Sequence, residues 1–215
     1  MKAVISFLIK AILFIILPFI FLVRGSVYIH EKYEFLPFIS LLGGILVTSL
    51  LLLIYFFVFY GLIFKKVGSG STLKKVGVAV FLIVGGYCIH GLFFISSKNV
   101  KSPGLKKEIV DLHPILRIAV STIIILDKDL IITDASRVPE DYRKMGLRTK
   151  NSSLHYKQKD GYAYALDLRT NSRGEIRNFF LKSYFKLMGF RTLRHGGTGD
   201  HLHISLKCHY RPGAI

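Results

Sequence analysis

The sequence predicts an α+β chain in which a three-helix membrane region precedes a small domain built on a mainly antiparallel sheet. Three observations predict it. The 215 residues are 51% hydrophobic, more apolar than an ordinary soluble chain. The apolar residues gather into three long runs in the first half, and mean hydropathy is +0.45. The second half instead alternates short helical and strand-like segments, the pattern of a small layered domain.

The first run is Val4 to Val23, the second Leu36 to Phe64 and the third Val76 to Ile95. A helix needs about 20 apolar residues to cross ~30 Å of hydrocarbon, so all three qualify. Lys10 lies toward the N-terminal end of its run, where its stem can snorkel to the headgroups. Arg24-Gly25-Ser26 after Val23 offers no small-x-small cleavage site, which argues against a removed signal peptide. Residues 1–95 are therefore expected to form the membrane region, with spans near 4–23, 36–64 and 76–95. Residues 96–104, a polar tract with Pro103-Gly104, are expected to be a linker, and 105–215 the domain.

Loop charge predicts orientation. The tract from Lys65 to Lys75 carries four lysines and no acid, whereas the loop after the first run has Arg24 and Lys32 as its basic residues. The positive-inside rule places the lysine loop, with Lys2 and the α-amino group, in the cytoplasm. The chain is then a multi-pass protein of the cell (inner) membrane, with its C-terminal domain extracytoplasmic, or periplasmic. The lipid bilayer is one expected partner.

Within the domain, Leu105–Leu126 reads as helix and Leu130–Thr133 as a short buried strand. Pro139–Met145 reads as a short helix with Pro at its start, and Tyr162–Leu168 as a strand. Asn171 or Ser172 is expected to cap a helix through Met188 that stops at Gly189. Phe190–Leu193 and His201–Leu206 read as two further strands.

The net charge is +17, and from Ser96 onward 22 Lys/Arg face 11 Asp/Glu. That balance points to anionic partners without choosing among them. No nucleic-acid motif is present and none is expected as a partner. Cys88 lies in an apolar run and Cys208 near the C-terminus, so no disulfide is implied.

Six of the eight histidines fall in the domain. His155 follows a loop, Asp167 lies on a predicted strand and His203 on another. Two imidazoles and a carboxylate can give zinc three ligands and leave a position for water, whose pKa the metal lowers toward ~7. His201 and His203 are two apart and share a face of their strand. Asp200 stands at that strand's entrance, after the glycine-rich tract Gly196–Gly199. Either Asp200 or His201 could act as general base beside a metal-bound water. His113, before Pro114, is expected to have a structural or capping role. His195 could line the cleft, and His209 is expected at the surface. Arg169, Arg173 and Arg177 form a possible basic stripe.

The stretch Ser153-Leu154-His155-Tyr156, followed by Gly161 to Arg169, resembles the Ser-x-His…Gly-x-Ala-x-Asp signature of zinc D-alanyl-D-alanine carboxypeptidases and related endolysin peptidases, the Hedgehog/DD-peptidase fold. Asp200-His201-Leu202-His203-Ile204 resembles that family's second metal motif. Ile131 to Arg137 is similar to the strand and turn that present its arginine. The resemblance spans about Leu112 to Leu206 and leaves the membrane half uncovered.

The resemblance implies Zn2+ held by His155, Asp167 and His203, with Asp200 favoured over His201 as base. It implies Arg137 on the substrate carbonyl or carboxylate, and Ser153 positioning substrate or a ligand. The expected activity is a membrane-anchored zinc metallopeptidase cutting peptidoglycan stem peptides, of D,D-carboxypeptidase or endopeptidase type. A non-catalytic zinc-containing wall-binding relative and a holin–endolysin-like lysis protein are the alternatives. His155 and Asp167 are twelve apart, longer than in typical members, with the extra residues around Lys157 to Gly161. Ala163 stands where the signature has glycine. Asp160 is the alternative third ligand, ranked below Asp167.

Overall fold

Helical propensity and the apolar runs carry the chain straight into three long helices. The structure, a computed structural model, describes residues 2–64, 69–144, 146, 148–149, 151–197 and 199–214. Helix α1 spans Lys2–Tyr33, α2 Pro37–Phe64 and α3 Gly70–Phe93. All three are long and apolar enough to cross a membrane. Lys65 and Lys66, two of the four lysines in the expected cytoplasmic loop, lie outside the described residues, as do Met1 with its α-amino group, Met145 and Thr198. Lys74 and Lys75 belong to the first turns of α3, which Ser69 caps by accepting from Thr72 N.

α1 runs ten residues beyond the predicted end at Val23 because Arg24-Gly25-Ser26 does not interrupt it. The Ser26 hydroxyl turns back to donate to Leu22 O at 2.7 Å. Gly44 of α2 then packs so closely that a Cβ there would come within 2.0 Å of Ser26 Oγ. Small residues that let two backbones approach are how apolar helices associate in lipid, where burial of apolar surface gives no drive.

The second half is a mixed α and antiparallel β unit. Its elements are α4 (Leu105–Val110), α5 (Pro114–Leu126), β1 (Ile132–Asp134), α6 (Pro139–Lys144), β2 (Ala165–Arg169), α7 (Glu175–Met188), β3 (Arg191–His195) and β4 (His201–Ser205). The strands form one sheet in the order β1-β2-β4-β3, every pair antiparallel. The predicted helix over Leu105–Leu126 divides into α4 and α5, since Pro114 disfavours helical backbone at His113. His113 caps α5 instead, its Nδ1 accepting from Ile115 N at 3.3 Å. The helix α7 begins after Gly174, with no side-chain cap. Asn171 and Ser172, the expected caps, sit in the preceding turn, where Ser172 takes φ +62°. Gly189 ends α7 at φ +99°, and Phe190 N closes back on Phe185 O, which keeps Phe190 out of β3.

Strand alternation divides the sheet into two faces. Leu166, Leu168, Leu202 and Ile204 are buried and share one hydrophobic core with Leu116, Ile118 and Ala119 of α5 and Leu181, Phe185 and Met188 of α7. Asp167 and His203 point to the opposite face. The same core continues into Val27 of α1, Leu41 of α2 and Val84, Cys88 and Leu92 of α3. Polar contacts stitch the junction: Ser121 Oγ donates to Gly91 O at 2.7 Å, and the Tyr87 and Thr122 hydroxyls lie 2.6 Å apart. His209, expected at the surface, docks on the end of α1, 2.8 Å from His30 O and 3.1 Å from Glu34.

The tract 96–104 is not a free tether. Asn99 donates to Lys128 O and Leu130 O, each at 2.8 Å, and Val100 is buried in a bridge to Ile132. Both cysteines are free and buried.

Candidate metal centre

Sheet register brings the chemistry together. Asp167 on β2 sits directly opposite His203 on β4, with Asp134 of β1 opposite Asp167 on its other side. Directly paired residues have Cβ atoms about 4.5–5.5 Å apart, so three polar side chains are forced into one row. His155 joins them from the loop before β2. Its carbonyl accepts from Arg137 N at 2.9 Å, and Leu154 O accepts from Tyr164 N at 2.8 Å, which clamps the loop between the segment after β1 and the residue before β2.

His155, Asp167 and His203 are all buried, and among the described residues they form the one group of three or more His, Cys, Asp or Glu close enough to hold a metal ion. His155 Nε2 lies 3.3 Å from His203 Nδ1 and 3.5 Å from Asp167 Oδ1, and His203 Nδ1 lies 2.8 Å from Asp167 Oδ1. Ligand atoms bound at ~2.0–2.1 Å to a tetrahedral zinc stand ~3.3 Å apart. Two of the three separations are near that edge length, and the third is an ordinary hydrogen-bond distance.

The hydrogen bonding fits a cation. His155 Nδ1 faces Ala135 O at 2.6 Å. A carbonyl only accepts, so Nδ1 carries the proton and Nε2 of the neutral ring has its lone pair turned into the cluster. A ring nitrogen locked this way by its partner is the usual arrangement for a metal ligand. Nε2 and the carboxylate oxygen facing it are stable together only with positive charge between them, a metal ion or a proton, so the cluster is built around a cation. Burial alone would raise the Asp167 carboxyl, but its contacts with His155 and His203 outweigh this and hold it well below the usual carboxylate range. The carboxylate is ready to bind a cation.

Arg137 completes the row. It grips Asp134 through Nε at 2.7 Å and Nη2 at 2.6 Å, and reaches the outer oxygen of Asp167 at 3.2 Å. Burial works against its charge, yet Asp134 and Asp167 more than offset this and raise its pKa. Arg137, Asp167, Asp200 and His201 line one cleft of about 400 Å³, with Lys101, Thr133, Asp134 and Arg169.

The two base candidates differ. Asp200 is held by Arg194 at 3.0 and 2.7 Å and by Thr170 at 2.7 Å. Those partners, Arg194 foremost, pull its pKa down to about 2. His201 Nδ1 donates to Gly199 O at 2.6 Å, and Nε2 faces Asp167 Oδ2 at 3.8 Å. His195, on the neighbouring strand, stacks on the His201 ring with centroids 4.9 Å apart.

Ser153, expected to position substrate or a ligand, is buried and bonded to the Tyr142 hydroxyl at 2.7 Å and to His155 N at 3.3 Å, so its hydroxyl shapes the loop that carries His155. Asp160 is likewise spent elsewhere, accepting from Tyr164 Oη at 2.7 Å and Tyr162 N at 3.2 Å. The extra residues between His155 and Asp167 close into a turn of their own, with Gly161 N on Gln158 O and Gln158 N on Tyr162 O. The basic stripe divides: Arg169 lines the cleft, while Arg173 and Arg177 pair with Asp127.

Sequence reasoning missed Asp134 and Lys101. Asp134 stands three before Arg137, a spacing that could have suggested a carboxylate partner. Lys101 gave no signal, because a docked linker is a tertiary property. Compared with protein-family models, curated proteins and solved structures, the chain finds no match.

Proposed function

We propose that this chain is a membrane-anchored, zinc-dependent peptidase of the D-alanyl-D-alanine carboxypeptidase type, acting on peptidoglycan stem peptides outside the cytoplasm. The observation that carries the reading is the convergence of His155 Nε2, Asp167 Oδ1 and His203 Nδ1 within 2.8–3.5 Å of one another, with Asp167 also lining the cleft. Zinc held there would supply an activated water and polarise a substrate carbonyl.

The chain's own residues account for the rest. Arg137 presents a fixed positive charge to the oxygen that becomes negative in the transition state. Asp134 aims that guanidinium, since two short hydrogen bonds leave it little freedom. His201 is the better base of the two, with Nδ1–H anchored on Gly199 O and Nε2 turned to the cleft. Asp200, paired with Arg194, orients the strand entrance. Lys101 and Arg169 add positive charge to the cleft wall and suit a substrate bearing a free carboxylate. The outward orientation comes from the positive-inside rule applied to the lysine tract before α3.

The test uses the full chain in detergent, because α5 and α7 share their core with α1 and α3. Purified sacculi are digested with the wild type and with His203→Ala, and released termini are analysed by mass spectrometry. New peptide termini from the wild type alone support the reading. Equal release by both proteins, or none from the zinc-loaded wild type, rejects it and leaves a metal-bearing binding domain.

A further inference from the structure

The helix α7 is apolar on two opposite faces. Asn178, Leu181, Phe185 and Met188 are buried against the domain. Ile176, Phe179, Phe180 and Leu187 point away from it and are 74%, 66%, 65% and 58% exposed. Their spacings of three, four and seven residues place them on one side of the helix. Charge separates the two faces: Lys182 and Lys186 border the outer stripe on one side and Arg177 on the other. An exposed stripe with two phenylalanines, flanked by cations, is the pattern of a helix lying in a membrane interface.

The edge and the end of α7 adjoin the long helices. Tyr184, at its edge, donates to Ala119 O at 2.8 Å and lies beside Thr122, which bonds Tyr87 of α3. Gly189, at the end of α7, packs against Arg24 and Val27 of α1. Leu126, ending α5, is also exposed. An exposed apolar stripe beside candidate spans needs an apolar covering.

We infer that the outer face of α7 lies in the lipid at the membrane surface, seating the domain on the bilayer with its metal centre on the far side of the sheet. Asp167 and His203 point away from the core that α7 covers, so the layers run lipid, helices, sheet, cleft. The cleft then opens toward a substrate standing off the membrane. The inference rests on the membrane-spanning part of the proposed function and is independent of the metal.

The chain has no tryptophan, so one introduced residue reports alone. Full-length Phe180→Trp, Leu187→Trp, Val138→Trp and Ile83→Trp proteins are reconstituted in vesicles of zwitterionic lipid, with or without bromine on the upper acyl carbons. Ile83 is an exposed residue of α3, and Val138 is exposed beside Arg137. The Trp residues at 180 and 187 are expected to emit at shorter wavelength than that at 138 and to lose intensity in brominated vesicles, with that at 138 quenched by aqueous iodide instead. Iodide quenching at 180 and 187, with lipid quenching at 83, overturns the inference while leaving the spans in place. Protection of 180 and 187 from both quenchers also overturns it, in favour of a protein such as a second copy. Absence of lipid quenching at 83 removes the membrane reading itself.

Discussion

Replacing Arg137 by Met tests whether the charge row is a working unit. The guanidinium makes three charge-assisted contacts, at 2.7 and 2.6 Å to Asp134 and 3.2 Å to Asp167. Hydrogen bonds to charged groups contribute about 1.5–3 kcal/mol each. They do not add here, because the side chains of Arg137 and Asp134 each keep 14% of their surface in contact with solvent. Removing one partner of a buried ion pair costs ~3–5 kcal/mol, and residual solvation places this case near ~3 kcal/mol. For a chain of this size each kcal/mol moves the melting temperature by about 2–4 °C, so Arg137→Met should melt roughly 6–12 °C lower. The assay is thermal unfolding of the detergent-solubilised full chain by circular dichroism, with and without zinc. The loss should shrink with zinc, since a cation beside Asp167 replaces part of the missing charge. Arg137→Lys should recover part of the stability, because it restores charge without the planar fork. A melting temperature of Arg137→Met equal to wild type in the absence of zinc would refute the electrostatic account of the row.

Other substitutions separate the roles of neighbouring residues. Asp160→Ala should cost about 1–3 kcal/mol by unpairing Tyr164 Oη and Tyr162 N, yet leave zinc content at the wild-type level, whereas Asp167→Ala should lose the metal; equal zinc loss in both would restore Asp160 as a ligand. His201→Ala should lower peptide hydrolysis by ~10²–10⁴-fold at constant zinc content, with Asp200→Asn costing less; the reverse order would return the base to Asp200. Burial, with a smaller contribution from His30, holds the His113 pKa well below 6.5. Below pH 6.5 the unfolded chain binds a proton there that the native chain does not, so stability should fall as pH drops through that point. His113→Asn keeps an N-cap and should flatten the decline between pH 6.5 and 5.5 in melting experiments. An unchanged slope would show that another group titrates.

Much of the site was legible because strand alternation is a local property. The pattern from Tyr162 to Leu168 put Asp167 on the face opposite Leu166 and Leu168, and His201 and His203 declared a common face by their spacing. What local pattern could not give was which groups each residue spends its hydrogen bonds on. Tyr162 and Ala163 look like strand but pair with Gln158, Asp111 and His113, and Tyr164 N turns to Leu154 O, so β2 starts only at Ala165. Asp200 and His201 are adjacent in sequence, and the resemblance favoured Asp200 as base; only the fold shows Arg194 closing on it. Ser153 matches the resembled signature, but its hydroxyl is turned to Tyr142. In the apolar N-terminal half, composition marked all three helices, while the length of α1 depended on Ser26 bonding back to Leu22 and on Gly44 beside it.

The most direct measurement is zinc K-edge X-ray absorption, with metal stoichiometry, on the purified full chain and its His155→Ala, Asp167→Ala and His203→Ala variants. The account predicts one zinc per wild-type chain, with nitrogen and oxygen neighbours at ~2.0–2.1 Å, two imidazoles among them, and loss of that zinc in each variant. A wild-type chain that takes up no stoichiometric divalent metal, or a zinc that persists unchanged when any of the three is removed, would contradict it.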